Sequence, residues 1–111
     1  MNIQPTIMVL ALNLEEIFQI SLRKLSSGDQ EGVIRNKSPF IIASLKENKP
    51  VSRVRSVCDV YAQEIETYIE KLQRYLESDS GISLHDASIC LGRLVCFNEY
   101  FKLKNLQSIS A

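Results

Sequence analysis

The chain of 111 residues has no tryptophan, one histidine, three cysteines, three prolines and four glycines. This scarcity of glycine and proline, with 45% hydrophobic and 23% charged residues, is typical of an ordinary globular domain. A chain of this length is expected to form one domain that buries a hydrophobic core without disulfides or metal.

Long apolar runs are also missing, since no run approaches the roughly 18 residues that a membrane-spanning helix needs. The apolar run at residues 7–12 lacks the basic flank of a signal peptide, so neither a signal peptide nor membrane association is predicted. Cys58, Cys90 and Cys96 are odd in number and lie within helical patterns. We interpret them as reduced, mostly buried thiols, which favours a cytoplasmic, reducing compartment.

The residues that carry catalysis or bind metals are few and scattered. No glycine-rich phosphate loop and no paired catalytic carboxylates occur. Asp86 follows the lone His85 directly and cannot orient it well on a helix. Arg93 lies three residues from both Cys90 and Cys96, and an activated thiolate there is a minor alternative. We therefore predict no enzyme activity, no cofactor, no bound metal and no small-molecule substrate.

Caps and breakers divide the chain into four predicted helices near residues 5–26, 39–48, 51–78 and 83–104, with a frayed tail at 105–111. The Ser38-Pro39 pair predicts the second helix start, after a loop over residues 27–37. Ser83 predicts the cap of the last helix. A short strand at residues 7–12 is an alternative. The sequence predicts a single all-α domain, a compact four-helix bundle with one long central helix at 51–78.

Apolar residues from Val54 to Leu76 recur at steps of three and four and mark one side of the long helix. Within this stripe, Tyr61, Tyr68 and Tyr75 recur every seven residues. Tyrosine is enriched at interfaces, so we predict a protein-binding edge along these three rings. The alternative is that they lie at the edge of the bundle core within one chain.

The net charge is zero, yet basic residues outnumber acidic ones by six to one between residues 35 and 58. This basic segment comprises Arg35, Lys37, Lys46, Lys49, Arg53 and Arg55. Clustered basic side chains bind phosphate backbones or acidic proteins, although no recognition-helix signature accompanies them. Nucleic acid is therefore an alternative partner.

Residues 68–75 read YIEKLQRY and residues 89–95 read ICLGRLV. Together, residues 66–95 resemble the first helices of a Pho80-like cyclin box, although Gly92 stands where that family usually has aspartate. The resemblance implies a kinase-binding role, which we keep as an alternative.

The favoured hypothesis is a small, non-enzymatic, helical protein-interaction module, such as an adaptor, a chaperone-like protein or a regulatory subunit. Its expected partner is another protein or a second copy of itself. The apolar side of the long helix is wider than three short neighbouring helices are expected to cover, and an exposed apolar strip calls for a partner. A homodimer is favoured because symmetric dimers are the commonest oligomers.

Overall fold

A computed structural model describes residues 4–48, 57–77 and 81–110 of the chain. These residues form four α-helices, α1 (Gln4–Arg23), α2 (Ser27–Asn48), α3 (Val57–Leu76) and α4 (Leu84–Ser110). Within these ranges there is no strand, and residues 7–12 belong to α1. The prediction of an all-α fold with four helices is therefore confirmed.

Helix α4 packs against each of the other three helices, and α1 and α2 meet each other only slightly. Contacts of Gln19 with Ser88 and of Ser44 with Asn98 show that α4 runs antiparallel to α1 and parallel to α2. Tyr61 meets Phe97 near the start of α3, which also runs antiparallel to α4. The central position thus belongs to α4, whereas the sequence analysis gave it to the helix at 51–78.

The reason for this difference lies in how apolar residues are distributed around each helix. In α3 they form one stripe opposite a charged face, which is typical of an outer helix. In α4 buried residues occur on nearly every side, as expected of a helix enclosed by neighbours. They are Ala87, Ser88, Cys90, Leu91, Gly92, Leu94, Cys96, Asn98, Tyr100 and Phe101.

The first connection is much shorter than the predicted loop at 27–37, because α2 begins at Ser27. Ser26 caps this helix, its Oγ accepting a hydrogen bond from the Asp29 backbone N–H at 3.2 Å. Predicting the helix start at Ser38-Pro39 was wrong. Ser38 is fully buried, and its hydroxyl donates to the Ile34 carbonyl at 2.6 Å. Pro39 lies within the helix on its exposed side, where water reaches the backbone.

The other helix ends differ less from prediction. Ser83 caps α4 as predicted, its Oγ accepting a hydrogen bond from the Asp86 N–H at 3.0 Å. The predicted tail at 105–111 is helical through Ser110. Residues 49–56, where the sequence predicts the start of the third helix, lie outside the described residues.

A polar cluster joins α2 to α4 within the largely apolar interior. Asn98 is only 4% exposed, and its Oδ1 accepts hydrogen bonds from Ser44 Oγ at 3.1 Å and Asn48 Nδ2 at 3.3 Å. Asn105 Nδ2 donates to the Asn48 carbonyl at 2.9 Å. These bonds satisfy the buried amide and fix how α2 lies along α4.

The core supplies a first stability prediction. Leu72 is fully buried, so Leu72→Ala should leave a cavity and lower the free energy of unfolding by about 2–5 kcal/mol. Leu12 on α1 is 47% exposed, and Leu12→Ala is the matched control with a much smaller expected loss. Urea unfolding measures both, and equal losses would contradict the assignment of the core.

Pro39 supplies a second prediction that distinguishes a continuous α2 from a helix that starts at Ser38. Inside a helix, alanine is preferred over proline by about 3 kcal/mol, a difference that already includes the stiffer unfolded chain. Pro39→Ala should therefore stabilise the fold by up to about 3 kcal/mol in urea unfolding. If Pro39 instead occupied a first helical turn, the substitution would be neutral or destabilising.

Candidate functional sites

The three tyrosines of the predicted protein-binding edge are partly buried and pack against the core. The Tyr61 ring lies 5.3 Å from that of Phe97, centroid to centroid. The Tyr68 hydroxyl donates a 2.6 Å hydrogen bond to Glu64 Oε1. The Arg35 guanidinium lies 5.0 Å from the centre of the Tyr75 ring. The rings thus line the edge of the core, and a partner bound along this edge stays a prediction.

The basic residues predicted to form one segment point in different directions. Arg35 lies on the α3 side of α2, where it pairs with Glu31 at 3.0 Å and donates to the Leu76 carbonyl at 3.3 Å. Lys46 also faces α3, whereas Lys37 faces α1 and lies 6.0 Å from the centre of the Phe18 ring. Lys49, Arg53 and Arg55 lie outside the described residues. The described part of this segment therefore presents no single basic surface.

An exposed apolar face on α1 was missed by the sequence analysis. Leu10, Leu14 and Ile17, which we call the α1 stripe, are 50%, 37% and 59% exposed. Their spacing of four and three residues places them on one side of the helix, beside the buried line of Ile7, Ala11 and Leu22. The signal was present in the sequence, because α1 has more apolar residues than one buried face can use.

The α1 stripe borders a groove between α1 and α2, with α4 as its floor. This groove, which we call the α1–α2 groove, has a volume of about 340 Å³. Phe18 and Ile41 line its walls, and Lys37, Lys102 and Glu99 give it charges of both signs. Phe40, the residue before Ile41 on α2, is 76% exposed. Stripe and groove share Leu14 and Ile17 and form one continuous surface.

A second concave region is a cleft of about 590 Å³ between the C-terminal half of α1 and the first turns of α4. We call it the α1–α4 cleft. Gln19 crosses its base and donates from Nε2 to the Ser88 carbonyl at 2.8 Å. Gly92 permits this close approach, because a Cβ atom there would clash with the Gln19 amide. Arg23, the exposed His85 and Arg93 line the cleft.

Glu15 is the acidic residue of this cleft. Its Oε2 lies 4.0 Å from Arg93 Nε, and its Oε1 is buried without an ordinary hydrogen bond from the described residues. The nearby Cys96 thiol is only a weak donor. Burial raises the pKa of Cys96 to about 11, and the Glu15 carboxylate adds to that shift. Burial also raises the pKa of Cys90. Arg93 therefore does not turn either thiol into the thiolate considered from the sequence.

Within the described ranges, no three histidine, cysteine, aspartate or glutamate side chains come together as metal ligands. None of the helices described is long and apolar enough to cross a membrane. The absence of enzyme activity and of cofactors stays a prediction.

Comparisons with protein-family models, with curated proteins and with solved structures each returned no match to this chain. The resemblance of residues 66–95 to a cyclin box therefore stays a prediction.

The raised pKa values predict how stability depends on pH. The hydrogen bond to Glu64, then burial, raise the pKa of Tyr68 from 10.0 to about 12, and that of Cys96 rises from 9.0 to about 11. The folded chain keeps these protons at pH values where the unfolded chain releases them. Their contribution to stability is complete below about pH 9 and is lost as the pH rises towards about 12.

Urea unfolding at a series of pH values from 8 to 12 tests this expectation. Cys96→Ala should reduce the loss of stability between pH 9 and pH 11. Tyr68→Phe should reduce the loss at the upper end of the range. A stability that stays constant up to pH 12 would contradict the assigned environments of both groups.

Proposed function

We propose that this chain is a small, non-enzymatic protein-interaction module that self-associates through the α1 stripe and the α1–α2 groove. The observation that carries the proposal is the exposure of Leu10, Leu14 and Ile17 on one side of α1. Folded domains seldom leave a contiguous apolar surface open to water unless it meets a partner.

The shape of this surface suits a helix as the partner. An amphipathic helix binds a groove through apolar residues spaced at three and four positions. The α1 stripe has that spacing and lies directly beside the α1–α2 groove. A second copy thus offers both the ridge and the groove, and a two-fold arrangement would bury both in each chain at once.

The distribution of charge also favours a second copy as the partner. The net charge of the chain is zero, so two copies do not repel each other at long range. The groove carries Lys37 and Lys102 beside Glu99, and such a mixture of signs can be self-complementary across a two-fold axis.

The tyrosine edge is the competing seam for the same dimer. Tyr61, Tyr68 and Tyr75 each have a contact within the chain. A side chain that anchors a partner does not need such a contact, so these contacts favour the tyrosines as part of the chain's own packing. The α1 stripe exposes more apolar side chain and is therefore the first choice. Arg35 and Lys37 face opposite sides of α2, so no observation raises nucleic acid above protein as the partner.

Light scattering after size exclusion, at micromolar concentration, tests the proposal. The wild-type chain should have the mass of a dimer, and Ile17→Glu should have that of a monomer because it places a charge in the buried seam. Leu12→Glu is the matched control, since Leu12 is 47% exposed on another side of the same helix. This control should stay dimeric.

A wild-type monomer would refute self-association. A dimer that survives Ile17→Glu but dissociates with Tyr68→Glu would move the seam to the tyrosine edge. Circular dichroism of each variant shows whether the helices remain intact, so that loss of the dimer is not confused with unfolding.

A further inference from the structure

The α1–α4 cleft has features that the proposed interaction module does not use. Its volume of about 590 Å³ falls within the range of roughly 300–1,000 Å³ that is usual for small-molecule sites. It lies at the end of α1 near Arg23, beyond the α1 stripe, and the two surfaces have different lining residues.

Positive charge converges on this cleft from two helices. Arg23 reaches it from the last turn of α1, and its Nε donates to the Gln19 carbonyl at 3.3 Å. Arg93 reaches it from α4 with half of its side chain exposed. Guanidinium groups have donors in a fixed fork that matches carboxylate and phosphate oxygens.

The start of α4 adds to this positive character. Leu84 and His85, in the first turn of the helix, both line the cleft. The N-terminal end of a helix carries partial positive charge and favours anions. Glu15, the acidic residue of the cleft, lies 4.0 Å from Arg93 and offsets part of this positive charge, and its Oε1 is buried.

Part of the wall of the cleft is apolar. Leu22, Leu84 and Ile89 line it, and Ile89 is 39% exposed. The hydrogen bond between Gln19 and Ser88 holds α1 and α4 together at its base. A simple inorganic ion would fill only the charged part and leave these side chains in contact with water.

We propose that the α1–α4 cleft binds a small organic anion, in which a carboxylate or phosphate group meets Arg23 and Arg93 and an apolar group packs against Leu22, Leu84 and Ile89. No small-molecule substrate was predicted from the sequence, in which Arg23 and Arg93 stand 70 residues apart and form no local motif.

Phenyl phosphate is a suitable probe, because it joins an anionic group to an apolar ring. In a titration of the ¹⁵N-labelled chain at millimolar concentration, the amide signals of Gln19, His85 and Ser88 should shift and saturate. Phenol and inorganic phosphate, which each lack one half of the probe, should bind more weakly.

Arg23→Gln and Arg93→Gln should each weaken the binding of phenyl phosphate roughly tenfold, through loss of a charge-assisted hydrogen bond. Lys46→Gln is the control with the same change of net charge. It should leave binding unchanged, because Lys46 lies on the α3 side of α2. If Arg93→Gln disturbs the fold, Arg23→Gln still tests the proposal, because Arg23 is exposed and its replacement should keep the fold intact.

Shifts confined to residues outside the cleft, or no saturable shift at all, would overturn the proposal. Equal weakening by Lys46→Gln would also overturn it, because it would reveal a general attraction of anions to positive charge. The dimer test is independent, since a monomeric chain could still bind phenyl phosphate in the cleft.

Discussion

Helix α4 is enclosed by α1, α2 and α3, and the burial of its side chains on three sides is the constraint on which the rest of the fold depends. Each outer helix covers a different side of α4. The outer helices meet each other little, so most of the apolar area removed from water lies against α4. Leu91, Leu94 and Phe101 are fully buried for this reason.

The same arrangement accounts for both concave surfaces. Where α1 and α2 diverge over α4, the space between them becomes the α1–α2 groove. Where the end of α1 passes the first turns of α4, the Gln19 side chain bridges the gap and the cleft opens around it. Gly92 allows that bridge to form, which gives a structural reason for glycine at this position of α4.

Much of the fold was predictable from local signals. Ser83 and the apolar spacing of the third and fourth helices predicted elements that the structure contains. The start of α2 was not, because Gly28 and Gly32 favour a loop and Pro39 resembles a first-turn residue. Tertiary packing outweighs these preferences by burying Ile34 and Ser38 against the core.

The candidate sites were much less predictable. The seven-residue spacing of the tyrosines is visible in the sequence, but contacts such as that of Tyr61 with Phe97 depend on which helix packs against α3. The α1 stripe was missed because spacing alone cannot say which of two apolar faces is covered. The cleft requires residues from distant parts of the chain, and no local pattern records that proximity.

The hydrogen bonds of Asn98 have a further consequence for motion. In some proteins one helix shifts by a whole turn, about 5.4 Å, past another, and purely apolar contacts do little to specify the register. Such a slide of α2 along α4 would carry Ser44 and Asn48 away and leave the buried Asn98 oxygen without its donors. The amide therefore holds α2 in register along α4, because a slide by one turn would leave a buried acceptor unpaired.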